Sequence, residues 1–384
     1  MDKAESKYPP TTISDQRPTI QPRRLRRLLQ RLIDIYSPAG KEREILEFLH
    51  GYLKRRGVPV VRQPVDDYRY NLIVMPRECH VGLALIGHVD TIGAYDLEHY
   101  GYEERSDRIS GLGAADMKGG CAAMVEGFLA LWEQNGGNVP ASLALLVGEE
   151  EDGDGVRELI KDFQFPWAIV GEPTNLKPSL SHYGYLEAQL CTAGRRIHAS
   201  LANKRPNPIA SMLRLILQIT GYLENKRPEA VCNVRDLFSS QAGFSVPDRC
   251  EAWLDIHVPP SVPLRQIIMD IEDLFHQRRQ EDLQQDTNLR FLTVDPGYSL
   301  PEKGTVVAAL QSIYAAHGLP WQPEAFRSHS DGNQLWEAGV MPLLLGPGEL
   351  ENAHAPDEWV SFRQVCLAAE LYLDLLMQLM VNDP

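Results

Sequence analysis

Cysteine is scarce in this 384-residue chain and never paired: Cys79, Cys121, Cys191, Cys232, Cys250 and Cys366 include no C-x-x-C spacing. That excludes a disulfide scaffold and a thiolate zinc site, and it fits reduced thiols in a cytoplasmic protein. An excess of positive charge is also missing. With 38 Lys and Arg against 52 Asp and Glu, the net charge is -14. Phosphate binding needs a basic face, so nucleic acid is excluded as a partner. No run approaches the ~20 apolar residues that span a bilayer, and the N-terminal MDKAESKYPPTTISDQRPTIQP has no apolar secretory core. A soluble, cytoplasmic protein without a membrane partner is therefore expected. The one concentration of cations is Arg23, Arg24, Arg26, Arg27 and Arg31. It is interleaved with Leu25, Leu28, Leu29 and Leu32 at helical spacing, so its simplest reading is a solvated helix face.

A hydrophobic content of 43% and this length allow two domains with a core each. After a Pro-rich leader, Pro22 to Arg56 reads as helix, broken at Ser37-Pro38-Ala39-Gly40. Four short apolar runs then share one grammar. VGLALIG (Val81–Gly87) ends in glycine and leads into His88, and SLALLVG (Ser142–Gly148) leads into Glu149, Glu150 and Glu151. WAIVG (Trp167–Gly171) leads into Glu172, and in MPLLLG (Met341–Gly346) the following loop brings His354. Runs without polar alternation suit strands buried on both faces, as in a helix-flanked, mostly parallel sheet. A helix is expected over Met117–Gln134. In such sheets ligands bind beyond the carboxyl ends of the strands, where these polar residues stand.

From about Tyr183 to Val294 the pattern changes. LEAQL (Leu186–Leu190) and AWLDIHV (Ala252–Val258) alternate, helical patterns fall at Ile209–Leu223 and Leu264–Arg278, and LRFLTV (Leu289–Val294) closes the set. The order β-α-β-β-α-β is that of a ferredoxin-like α+β domain. The expected organisation is α/β: a discontinuous metal-binding domain over residues 1–182 and 295–384, interrupted by the second domain over 183–294.

Five residues emerge as candidate metal ligands: His88, Asp116, Glu150, Glu172 and His354. Imidazole nitrogen with carboxylate oxygen and no thiolate suits hydrolytic zinc. Two metals ~3.5–4 Å apart need a bridging carboxylate with other ligands shared out between them. Asp90, two residues after His88, can orient the imidazole through its other nitrogen. Singly, each has an ordinary explanation. Asp116 suits a helix N-cap before Met117, and the Glu149–Glu151 triple suits a solvated loop. Three like charges after a buried strand are nevertheless unfavourable unless a cation offsets them.

Five segments in order, GHVDT (Gly87–Thr91), GLGAADMKGG (Gly111–Gly120), VGEEEDGDG (Val147–Gly155), VGEPTNLKP (Val170–Pro178) and NAHAPDEWV (Asn352–Val360), resemble the M20 metallopeptidase and deacylase family. The type is that of acetylornithine deacetylase and succinyl-diaminopimelate desuccinylase. The resemblance implies two zinc ions per subunit, with cobalt as a substitute. His88 and Glu172 would hold one ion, Glu150 and His354 the other, and Asp116 would bridge them. Glu149 would be the general base acting on a metal-activated water, a shift to Glu150 and Glu151 being the alternative register. It further implies that the inserted domain is a lid through which a homodimer forms. His198 in GRRIHAS (Gly194–Ser200) would serve the developing oxyanion, and Ser330, Asp331 and Gly332 would contact the substrate carboxylate. The expected reaction is removal of an acyl group from a small amino acid such as N-acetylornithine or N-acetyllysine. GEPTNLKP leans towards the deacetylases of arginine or lysine biosynthesis. Peptidase action on short peptides, desuccinylation and a non-catalytic binding protein are the alternatives. Ser245 and His257 depart from the family pattern, where Asn and Arg are common, in the segment that reads the substrate.

Overall fold

The computed structural model describes residues 17–76, 82–241, 243–281 and 286–381. Most of the leader, Cys79 and Val81 fall outside them. The chain divides into two compact units, Met1–Leu180 with Leu300–Glu324 and Ser330–Pro384, and Ser181–Ser299 with Ala325–His329.

The first unit opens with α1 (Pro22–Asp34) and α2 (Arg43–Lys54), separated where Gly40 takes a left-handed φ of 82°. Then follow β1 (Val61–Pro64), β2 (Tyr70–Val74), β3 (Leu83–His88), α3 (Gly119–Gln134), β4 (Ser142–Leu146), α4 (Asp154–Asp162) and β5 (Trp167–Val170). The second unit runs β6 (Gly184–Ala193), α5 (Pro208–Lys226), β7 (Val231–Ser239), β8 (Arg249–Val258), α6 (Leu264–Glu281) and β9 (Asp286–Asp295). The chain then returns to the first unit through α7 (Thr305–Ala316), α8 (Asp331–Glu337), β10 (Met341–Leu344) and α9 (Phe362–Val381).

In the first unit the strand order is β1-β2-β4-β3-β5-β10, and the last four are mutually parallel. Every residue of β3, β4 and β5 is buried, which is why their sequences are apolar without alternation. Each buried Leu, Ile or Val there is worth about 1.5–3 kcal/mol. Helix α3 packs against α1 and α9. Its Gly127 lies so close to α9 that a Cβ would meet the Ala369 carbonyl oxygen at 2.8 Å.

The second unit has strand order β7-β8-β6-β9 with every neighbouring pair antiparallel, the ferredoxin-like arrangement. Strand β6 buries every other residue. Leu186, Ala188 and Leu190 meet Leu254 and Ile256 from β8, under Met212, Leu215 and Ile219 of α5 and Ile267 and Ile271 of α6.

The arginine-rich helix keeps Arg23, Arg27 and Arg31 exposed, as its spacing predicts, but Arg24 and Arg26 are half-buried. The Arg24 guanidinium donates to both oxygens of Glu126 on α3, Nε to Oε2 at 2.7 Å and Nη2 to Oε1 at 3.0 Å. The Glu126 carboxylate is fully buried and also accepts the Gln21 main-chain N–H at 2.6 Å. Arg26 lies over the Phe362 ring and Arg31 over that of Phe48. Helix α1 is thus riveted to α3 by a charge pair as well as by its leucines. Replacing Glu126 with Leu strands the Arg24 charge and should cost about 3 kcal/mol. Glu133, 2.7 Å from Arg24, remains as a partial partner. Adding Arg24→Met should restore most of that loss in a denaturant-unfolding cycle. A single-variant penalty below the ~1 kcal/mol typical of exposed pairs would show the rivet to be inconsequential.

Candidate metal centre

Because β4, β3, β5 and β10 are parallel, their carboxyl ends share one edge of the sheet, and each continues into a candidate ligand. His88 is the last residue of β3, at the centre. Beside it, β4 passes through Gly148, at φ 73°, into Glu149 and Glu150. On the other side, β5 passes through Gly171 into Glu172. There the start of α3 presses so close that a Cβ on Gly120 would lie 2.1 Å from the Gly171 carbonyl oxygen. His354, with a left-handed φ of 54°, comes from the loop after β10, its carbonyl held by the Tyr95 hydroxyl at 2.9 Å. Asp116 sits in the irregular turn Ala114–Lys118 before α3, with φ -119° and ψ 97°. It is not the helix cap that the sequence allows: α3 starts at Gly119, and its cap position, Lys118, makes no side-chain capping bond.

The five residues form two groups that share one member. His88, Asp116 and Glu172 offer ligand atoms within 4.8 Å of one another, and so do Asp116, Glu150 and His354. Asp116 faces both ways: Oδ1 lies 3.3 Å from His88 Nε2, and Oδ2 lies 3.6 Å from His354 Nε2. His354 Nε2 is 2.8 Å from Glu150 Oε2, and His88 Nε2 is 3.8 Å from Glu172 Oε1. Glu149 belongs to neither group, yet its Oε2 comes to 3.7 Å from His88 Nε2.

The electrostatics are those of a cation site. Burial, with the nearby carboxylates Glu172, Glu150 and Asp331, pushes Glu149 well above the usual carboxylate range. Burial and Asp116 do the same to Glu172. Burial opposes charge on His88, but Glu149, Asp116, Asp90 and Glu172 outweigh it and raise the imidazole well above its ordinary value. The hydrogen bond to Glu150 raises His354 to about 9. Oε1 of Glu172 is buried with no hydrogen-bond partner. Buried acids that repel one another and an oxygen without a donor are what a divalent metal would satisfy, and nitrogen with oxygen donors suits zinc. The residues therefore fit two metals.

The hydrogen bond to Glu150 keeps a proton on metal-free His354 up to about pH 9, whereas a ligand must be deprotonated. Zinc titrated calorimetrically in buffers of different ionisation enthalpy should release protons, with affinity rising between about pH 6 and 8. An affinity that stays flat over that range would contradict this account.

Asp90 is fully buried: its main-chain carbonyl lies 3.1 Å from His88 Nδ1, while its carboxylate lies 3.7 Å away. That carboxylate accepts the Glu150 N–H at 3.0 Å instead. Ser330 caps α8, its hydroxyl accepting the Gly332 N–H at 3.0 Å, and Asp331 begins the helix as a buried residue. His198 is exposed in the second unit, with Nδ1 2.8 Å from the Ser200 hydroxyl. Ser245 pairs with His198 across a short ladder, and His257 faces Tyr185 across the sheet, ring centroids 5.2 Å apart. Sequence reasoning passed over two buried charges. Glu358 accepts main-chain N–H groups from Gly113, Ala115 and Asp116, and Lys118 donates to the Ile35 carbonyl at 3.0 Å. Only their closeness in sequence to His354 and Asp116 pointed to them.

A sheet edge armed in this way defines a metal-dependent hydrolase. Residues 84–378 match the peptidase family M20/M25/M40, and the chain belongs to that family of amide-bond hydrolases. It is similar to an acetylornithine deacetylase of Edwardsiella ictaluri, 29% identical over 340 residues, 83% of this chain and 86% of the relative. Its fold matches a tripeptidase of Staphylococcus aureus with a TM-score of 0.80 at 20% identity, covering 95% of this chain and 100% of that one. A Bacillus subtilis protein described as a dinuclear metal-binding M20 peptidase matches with a TM-score of 0.67 at 14% identity, covering 94% and 99%. Among the described residues no helix is long and apolar enough to cross a membrane.

Proposed function

We propose that the protein is a two-zinc deacylase that removes an acyl group, most simply acetyl, from the amino nitrogen of a small amino acid such as N-acetylornithine or N-acetyllysine. The observation that carries this reading is the pair of ligand groups sharing Asp116. It stands in a chain that spans 86% of an acetylornithine deacetylase.

In this reading His88 and Glu172 hold one zinc, Glu150 and His354 hold the other, and Asp116 bridges. Two bound zinc ions supply Lewis acidity, lowering the pKa of a water and polarising the scissile carbonyl. Glu149, 3.7 Å from His88 Nε2 and in neither group, takes the proton from the attacking water and delivers it to the leaving amine. The Asp90 main chain holds the outer nitrogen of His88, which presents Nε2 to the metal. The Asp90 carboxylate, through the Glu150 N–H, ties the base-bearing turn to the His88 strand. The second unit serves as lid and as homodimer contact, with His198 completing the oxyanion site of a neighbouring subunit. Ser330, Asp331 and Gly332 form the wall that meets the amino-acid part of the substrate. Ser245 and His257 lie where specificity is read.

The test is amine release by the zinc-loaded protein from N-acetylornithine, N-acetyllysine, N-succinyl-diaminopimelate and a dipeptide panel, repeated with cobalt. Turnover of the acetylated amino acids is expected. Cleavage of dipeptides alone would overturn the deacylase reading and leave a peptidase.

A further inference from the structure

The ladder that joins the segment after His354 to the segment before Asp116 ends at Trp359 and Ser110, where the two loops begin. Trp359–Ser361 pairs antiparallel with Arg108–Ser110, the last pair being Trp359 with Ser110. Beyond it, the Gly111 N–H still reaches the Glu358 carbonyl at 3.1 Å. Then the Glu358 side chain takes over. Its Oε2 accepts from Gly113 N at 2.8 Å, and its Oε1 accepts from Ala115 N at 2.8 Å and Asp116 N at 3.0 Å.

We infer that Glu358 is a positioning residue that clamps the bridging-aspartate turn to the His354 loop and thereby sets the metal affinity of the centre. This rests on the reading of Asp116 and His354 as ligands. Three main-chain N–H groups converging on one carboxylate form a concave anion cradle. The turn needs such an acceptor. Gly113 is left-handed at φ 76°, and a Cβ there would meet Thr91 Cγ2 at 2.6 Å, so the turn is shaped around glycine. Asp116 leaves helical geometry, so its N–H has no partner from a helix ladder. Without Glu358 these donors would be buried unpaired, a cost that the turn would relieve by moving. Asp116 must meet two metals with its two oxygens, so it tolerates little movement. Glu358 is buried at 4% exposure and lies four residues after His354, so one side chain keeps both halves of the centre in register.

The test is zinc affinity, measured by chelator competition on wild type, Glu358→Gln and the exposed same-loop control Glu351→Gln. The thermal midpoint of each metal-free protein is recorded alongside. Gln keeps the shape but has one oxygen, so part of the cradle faces an NH2 group. Glu358→Gln should bind zinc about 10–100-fold more weakly, with Glu351→Gln unchanged. A purely structural side chain would lower the metal-free midpoint and leave the affinity of the folded protein alone, which would overturn the clamp. Should Glu358→Gln not fold, Glu358→Asp, one methylene shorter, carries the same test: weakened zinc binding supports the clamp, and wild-type affinity overturns it. Two zinc ions bound by wild type with unchanged affinity in the variants would reject the clamp and keep the ligand assignment. A wild type that never binds two would reject both.

Discussion

Glu149→Gln should bind two zinc ions as tightly as wild type and lose about 10²–10⁴-fold in kcat. The substitution preserves size and removes the carboxylate that carries the proton. Glu149 stands 3.7 Å from His88 Nε2 without joining either ligand group, as suits a base beside the metals rather than on them. Glu150 is placed differently. Its Oε2 is 2.8 Å from His354 Nε2, and its main-chain N–H is held by Asp90. Glu150→Gln should therefore weaken one zinc as well as turnover. Glu151 is exposed on the outside of the turn and joins neither group, which favours the first register over the shifted one. If Glu149→Gln lost a metal while Glu150→Gln kept both, the roles would move one residue along.

The edge of candidate ligands was legible in the sequence because burial on both faces removes polar alternation. A strand such as Leu83–His88 can carry its functional side chain only at its end, so the end stands out. Alternation marked the second unit for the opposite reason: β6 buries every other residue under two helices and leaves the rest to the open face. What stayed hidden were the distant partners of buried acids. Arg24 lies 102 residues from Glu126, and the Asp116 main-chain N–H lies 242 from Glu358. Periodicity describes one helix or strand at a time, so a helical arginine reads as solvated until its partner is known. The start of α3 was hidden as well. Residues 114–118 have a helix-like composition, but main-chain donors captured by Glu358 hold them out of the helix. The same capture frees Asp116 to face two ways.

Asp116→Asn should cost more metal than any other single ligand change, because one carboxylate serves both groups. A change at Glu172 or Glu150 removes a donor from one group and leaves the other its three members. Asn keeps the shape but offers one neutral oxygen, so it can complete one group at most and offsets neither cation's charge. The expected loss exceeds the ~10–100-fold typical of residues that only support a ligand, and it should fall on both ions. Stability should report the same change. A metal that binds only the folded protein adds RT ln(1 + [L]/Kd), about 2.7 kcal/mol at a hundred times Kd. Wild type should therefore gain several degrees in thermal midpoint on adding zinc, and Asp116→Asn little at the same concentration. The metal-free variant should be somewhat less stable than metal-free wild type near neutrality, since despite burial His88 and His354 hold the Asp116 carboxyl below its ordinary range, and that pairing is then lost. A zinc-dependent rise as large in Asp116→Asn as in wild type would show that Asp116 does not bridge.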